Sequence, residues 1–367
     1  MTATTAPVLT RRALNRTLLG RQLLLERVDR RSSDVVEHLV GLQAQVPIDP
    51  YVALWTRIHA FDPLELSGIL EARRAVRTGY LRGTLHLVSA RDMLAHYPIV
   101  ADIGARSWKS SPFSKQLAGV DVDAVVAAAR AALEERPRTT SALGAALAPR
   151  WPDREPSALA YAARYLLPLV QIPPRGLWGR TGLPTNTTAE AWLGAPMEEH
   201  ASIEDLLLRY LAAFGPATIG DMRTWSWLTG LREVVDRLRP RLRTFRDETG
   251  RELFDIQQGT LVDEDTPAPI RFLPQYDNVF LSHEDRSRIL SPNITIAELT
   301  WRGGVLVDGF VGAAWRIARE RARARMMVTR YVTVDATQQA AIEEEAVRLL
   351  AFLAADADGR EIVFADA

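Results

Sequence analysis

Apolar residues fall at helical spacing through the first quarter of the chain. Residues 11–25 (RRALNRTLLGRQLLL) carry an apolar stripe and predict an amphipathic helix. Ser32 and Ser33 are placed to cap a second helix, with Asp34 near its positive end and Val35, Val36, Leu39 and Val40 as its apolar face. Asp49 followed by Pro50 reads as an N-cap and a first-turn proline, opening a helix through Tyr51, Leu54, Trp55 and Ile58. The period changes at residues 75–88 (AVRTGYLRGTLHLV). There Leu81, Leu85 and Leu87 alternate with Arg82, Thr84 and His86, which predicts a half-buried strand in a hairpin turning near Thr78–Gly79. Helices closed by a hairpin follow the order of a winged helix.

That order returns twice. Thr140 is placed to cap a helix, a second runs through residues 157–170 (SALAYAARYLLPLV), and QIPPRGLWGR carries a strand and turn signal. Further on, Thr218 and Asp221 resemble a capping box, and Thr229 can cap the helix holding Val234, Val235 and Leu238. Thr249–Gly250 then marks a turn before RELFDIQ. From about residue 262 the chain alternates β-like stretches with turns, then ends in a helix near 336–355 and a short strand, REIVFAD. The expectation is an α+β protein divided at 1–100, 101–195, 196–261 and 262–367. The last part is expected to be a small antiparallel sheet or barrel with one helix packed on it.

Composition narrows the chemistry. The 367 residues are 47% hydrophobic, enough for two or three domains with substantial cores. Forty-five basic residues balance 45 acidic ones, which argues against indiscriminate polyanion binding but leaves room for a local basic groove. Lys109 and Lys115 are the only lysines, and there is no cysteine, so thiolate chemistry is excluded. The histidines (His38, His59, His86, His96, His200, His283) form no close ligand pair, so neither a metal nor another cofactor is expected. The N-terminal MTATTAPVLTRRALNR is too polar for a signal peptide, and a cytoplasmic protein with no membrane partner is expected.

Four places could carry chemistry. In GLQAQVPIDPYVALW, Gln43 and Gln45 lie two apart, and Pro47 favours extended backbone, so both amides can point the same way. They could converge on a water or a base edge; equally, they could cap a helix or face solvent. Arg82, Thr84 and His86 could grip a phosphate, or form an ordinary solvated strand face. The polar stretch FLPQYDNVFLSHEDRSRIL (272–290) has no nucleophile–base spacing and reads better as a packing network than as an active-site loop. Three arginine clusters, at 27–31, 237–243 and 316–325, read as solvated faces or as backbone contacts for nucleic acid.

Together, HLVGLQAQVPIDPYVALWTRI, LRGTLHLVSARD, YLAAFGPATIGD, RFLPQYDNVFLSHEDRSRI and GGVLVDGFVGAAWRI resemble the AlkZ/YcaQ-like DNA glycosylases. The resemblance implies three tandem winged helices in a C-shape, completed by a C-terminal β-barrel. It places the family's Gln-apolar-Gln signature on Gln43, Ala44 and Gln45 as catalytic residues. Arg57, Arg82, Thr84 and His86 become candidate DNA contacts. The Gln-Gln form is typical of the AlkZ side, which excises bulky N7-alkylated purines, interstrand crosslinks among them, and protects against crosslinking antibiotics. The partner implied is double-stranded DNA carrying such lesions, and a monomer is expected. A non-catalytic winged-helix regulator and a drug-sequestering protein are the competing readings.

Overall fold

The computed structural model describes residues 6–367 apart from Asn293 and Thr300. Those two positions of the expected β-rich stretch, and the first five of the polar N-terminus, lie outside the described residues. The first helix, Arg11–Arg21, is capped by the Thr10 hydroxyl, which accepts from the Ala13 N–H at 3.0 Å. It ends at Arg21 rather than 25. Gln22 turns aside to donate from Nε2 to Ala213 O (2.7 Å), and Leu23 takes a left-handed backbone with φ 57°. Two expected caps fall differently. Ser32 lies inside its helix, Ser32–His38, and binds Glu65 through both N–H and hydroxyl. Asp49 is the first residue of Asp49–Trp55 and caps nothing.

The first unit continues with the helix Pro63–Glu71 and a hairpin, Ala75–Gly79 with Leu85–Ser89. The expected strand from Leu81 is therefore half turn. Leu81–Gly83 is a tight helical turn in which Arg82 and Gly83 both have positive φ, 56° and 66°. The pattern recurs in Val122–Glu135, Thr140–Leu147 and Pro156–Leu166, followed by the strands Leu169–Gln171 and Thr185–Thr188. Here the cap is Thr139 rather than Thr140. It recurs again in Ile203–Phe214, Ile219–Ser226 and Leu231–Leu238, followed by the strands Leu242–Asp247 and Glu252–Ile256. The Thr218–Asp221 capping box is formed, while Gly230 rather than Thr229 precedes the last of these helices.

The hairpins do not stay separate. Thr78 pairs with Val170 and Arg77 with Gln171, joining the first two hairpins into one six-stranded sheet. Its outer strands are Leu42–Gln43 and Arg138–Thr139. The N-terminal Val8–Leu9 adds a parallel strand to the third hairpin.

The C-terminal part is not a barrel. Arg271–Leu273, Gly303–Val307, Phe310–Glu320, Arg323–Arg330 and Gly359–Asp366 form an open five-stranded sheet in that order, with the first and last strands at opposite edges. The final pair is parallel, so it needs a crossover, and the helix Ala336–Leu353 provides it. Ile342, Ala346, Leu349 and Leu350 on that helix pack against Phe272, Val305, Met326 and Val328. At about 1.5–3 kcal/mol for each large side chain removed from water, the helix buries the sheet's apolar face without any need for the sheet to close on itself.

The stretch 272–290 is the packing network its composition suggested. Asn278 Nδ2 donates to Gly41 O at 2.8 Å, Glu284 N–H to Asp221 Oδ1 at 2.8 Å, and Arg288 Nη1 to Pro216 O at 2.7 Å.

Candidate active site

Gln43 ends the short strand Leu42–Gln43 beside the first hairpin, and Gln45, expected on the same extended run, lies in the bend that follows. Gln43 pairs with His86 in the ladder, and Ala44 N–H donates to Leu85 O at 2.7 Å. The two side chains have different surroundings. Gln43 is 6% exposed, and its Oε1 accepts from Arg82 Nη2 at 2.9 Å. Gln45 is exposed; its Oε1 accepts from Leu85 N–H at 3.3 Å, and a second oxygen lone pair and the NH₂ group remain for solvent or ligand.

A short relay sets the direction of the Gln43 amide. His86 Nδ1 lies 3.0 Å from Thr84 O, and its Nε2 lies 3.3 Å from Arg82 Nη2. A carbonyl cannot donate and a guanidinium cannot accept, so the proton sits on Nδ1 and Nε2 accepts. Arg82 also donates from Nη1 to Trp225 O at 2.6 Å. Burial, reinforced by the Arg82 charge, holds the His86 pKa down to about 3, so the ring is neutral at physiological pH. With its oxygen held by Arg82, Gln43 has its NH₂ group left to donate.

Gln45 opens onto a cleft of about 380 Å³ between the first two units. The first unit contributes Arg77, Tyr80 and Leu85; the second contributes Ser107, Tyr161, Arg164, Tyr165, Gln171 and Arg175. The walls meet tightly where the helix Ala90–Ser110 crosses Pro156–Leu166. A side chain at Gly104 would strike the Tyr165 carbonyl oxygen. No Asp, Glu or Lys is among the residues lining the cleft. Arg77 lies at its base, 2% exposed. Its Nη2 donates to Ala44 O at 2.8 Å, inside the Gln-Ala-Gln segment, while Nε and Nη1 are buried without a partner.

A family profile described as "DNA glycosylase AlkZ-like" matches residues 36–352. The chain belongs to the AlkZ-like DNA glycosylase family. It is 25% identical over 370 aligned residues to the "Interstrand DNA cross-link repair glycosylase" of Streptomyces sahachiroi, covering 90% of this chain and 93% of that protein. The structure of Streptomyces sahachiroi DNA glycosylase AlkZ shares the fold, with TM-score 0.75 and 22% identity over 97% of this chain and all of that one.

Of the DNA contacts expected in this AlkZ-like chain, Arg57 is a correction. It has no exposed surface: Nη1 and Nη2 bind Asp277 at 2.8 Å each, Nε donates to Gln22 O, and Nη1 also donates to Ala53 O. Its apolar helical surroundings come from burial in the core, where its charge is paired. His86 is 2% exposed and uncharged, so it orients Arg82 and does not grip phosphate. Thr84 is partly exposed, but its hydroxyl donates to Leu81 O at 3.2 Å and closes the turn. Arg82 remains partly exposed.

The middle arginine cluster is largely tied to acids: Arg237 to Glu204, Arg239 to Asp236 and Glu252, and Arg243 to Asp255. Arg316, Arg319, Arg321, Arg323 and Arg325 are all exposed on one hairpin; Arg319 pairs with Asp356 and Arg325 with Glu361. Sequence reasoning missed the far wall of the cleft. Tyr161, Arg164 and Tyr165 were legible only as a helix, and nothing in their spacing shows what they face. No group of three or more His, Cys, Asp or Glu side chains suited to a metal occurs among the described residues, and no described helix is long and apolar enough to cross a membrane.

Proposed function

We propose that this glycosylase hydrolyses the N-glycosidic bond of N7-alkylated purines in duplex DNA, bulky adducts and interstrand crosslinks among them. The supporting observation is the cleft beside Gln45, which combines amide, aromatic and guanidinium groups with no carboxylate or lysine. Such a site has no acid to protonate a leaving base and no amine to attack the sugar. An N7-alkylated purine needs neither. It is already cationic, and it leaves as a neutral base, taking the bond's electron pair and leaving an oxocarbenium-like sugar.

What the protein supplies is a positioned water. Of the pair only Gln45 lines the cleft: its Oε1 accepts from that water, and the Gln43 NH₂, left over while Arg82 holds the oxygen, is the donor assigned to it. The water oxygen bonds to C1′, and its proton goes to solvent. Tyr161, stacked on Phe113 with the Arg164 guanidinium over its ring, and Tyr165 give the cleft an aromatic wall against which a cationic purine packs. Arg164 and Arg175 are placed for the flanking phosphates. The helix–hairpin units serve as three winged helices over 1–100, 101–195 and 196–261, with 262–367 closing the chain. The cross-link activity in the name of the Streptomyces sahachiroi relative fits an exposed amide at a cleft, since tethered strands resist full extrusion of the base.

The test is direct. Incubating the protein with a duplex carrying one N7-alkylguanine is expected to release that base and leave an abasic site, with no release from the unmodified duplex. The double variant Gln43→Ala, Gln45→Ala is expected to lose excision while keeping its circular dichroism. Unchanged excision by that variant overturns the assignment.

A further inference from the structure

Trp227 lies just past the helix Ile219–Ser226 and is 53% exposed, an unusual cost for so large an apolar ring. It is also held in place. Its backbone is left-handed with φ 61°, its N–H donates to Arg223 O at 2.8 Å, and its O accepts from Arg106 Nη2 at 2.7 Å. The residue lines a hollow of about 480 Å³ together with Arg106, Ser110, Arg223 and Thr224. Two of these are exposed arginines. Arg223 has a 65% exposed side chain, and one of its nitrogens pairs with Glu284 at 3.3 Å. An exposed aromatic ring on a fixed backbone, flanked by cations and hydroxyls, suits a nucleobase and its phosphates better than a protein's apolar surface.

The hollow borders the cleft, since Ser107 lines both. The link extends to the glutamines, since Arg82, which holds Gln43, donates to Trp225 O two residues before Trp227. We propose that Trp227 is a stacking platform for one nucleotide flanking the lesion, with Arg106 and Arg223 on the adjacent phosphates. This rests on the reading of the Gln45 cleft as the lesion site.

A coupling experiment separates stacking from mere structural support. The probe is a duplex with a 2′-fluoro N7-methylguanine, which resists hydrolysis, and a base-free carbon spacer placed in turn at each flanking position. With the wild-type protein, one spacer position is expected to weaken binding about 10-fold, within the range for a base stacked on an aromatic ring. Trp227→Ala is expected to weaken binding of the spacer-free duplex by a similar factor and to lose nothing more at that spacer position; with the hydrolysable N7-methylguanine duplex it is expected to raise KM rather than lower kcat. Trp227→Phe should restore most of the affinity. Arg223→Gln should reduce the salt slope of binding by about one, which Trp227→Ala should not. Additive losses from spacer and Trp227→Ala overturn the platform. So does unchanged DNA affinity in Trp227→Ala, including the case where that variant only breaks self-association. A protein that excises no alkylated base yet shows the coupling defeats the proposed function and leaves the platform standing.

Discussion

Asp49 makes a sharp pH test of the interior. Its side chain is buried at 6% exposure, and Oδ2 has no hydrogen-bond partner. Burial first, and the neighbouring Asp277 carboxylate second, push its pKa from 3.8 up to about 7. The folded protein therefore keeps a proton there that the unfolded chain gives up between those values. Its stabilising contribution is complete below pH 3.8, falls as pH rises, and is gone above about 7. At about 1.4 kcal/mol per pH unit, the loss across that window is about 4 kcal/mol. His86 and His283, both held down to about 3 by burial, work the other way: they remain neutral in the fold and cost stability as pH falls below 6.5. Comparing two proteins cancels them. Asp49→Asn keeps the shape and removes the charge. Urea denaturation of both proteins between pH 4 and 8 is expected to show the variant gaining on wild type by about 4 kcal/mol, with the gap flat above pH 7. Parallel stability profiles, or a variant weaker at pH 8, refute the reasoning.

Three further outcomes are expected. Arg57→Ala strands the Asp277 carboxylate in the core and should cost about 3–5 kcal/mol in urea denaturation, whereas a loss below 1 kcal/mol would mean that the pair is hydrated. Arg77→Leu removes the tie to Ala44 O and should lower kcat for excision at least 10-fold with KM nearly unchanged; an effect confined to KM would make Arg77 a DNA contact instead. Borohydride should trap no protein–DNA adduct, since no lysine lines the cleft, and a covalent band would require an amine nucleophile.

Local pattern carried much of the architecture. The helices, the Thr218–Asp221 box and the β-rich C-terminal part follow from periodicity and turn chemistry, each decided within a few residues. Caps at Ser32, Asp49 and Thr140 slipped by one position or went unused: Glu65 takes up Ser32, Asp49 starts its helix one residue inside the cap, and Thr139 caps in place of Thr140. The merger of two hairpins into one sheet was not legible, since Thr78 meets Val170 across more than ninety residues. Gln43 and Gln45 were found through extended spacing and the resemblance around them. Their unequal exposure was not, because it depends on where Arg82 lands in the turn. Arg57 misled for a related reason: an arginine reads as surface until a buried carboxylate such as Asp277 is known to face it.

The rungs joining Arg77 to Gln171 and Thr78 to Val170 run beneath the floor of the cleft. Its two walls are welded through main chain, so the gap between them is a fixed gauge rather than a pair of jaws. A bulky adduct must find its room on the open side. Cutting those rungs would change how wide the mouth is before it touched any group that meets the sugar.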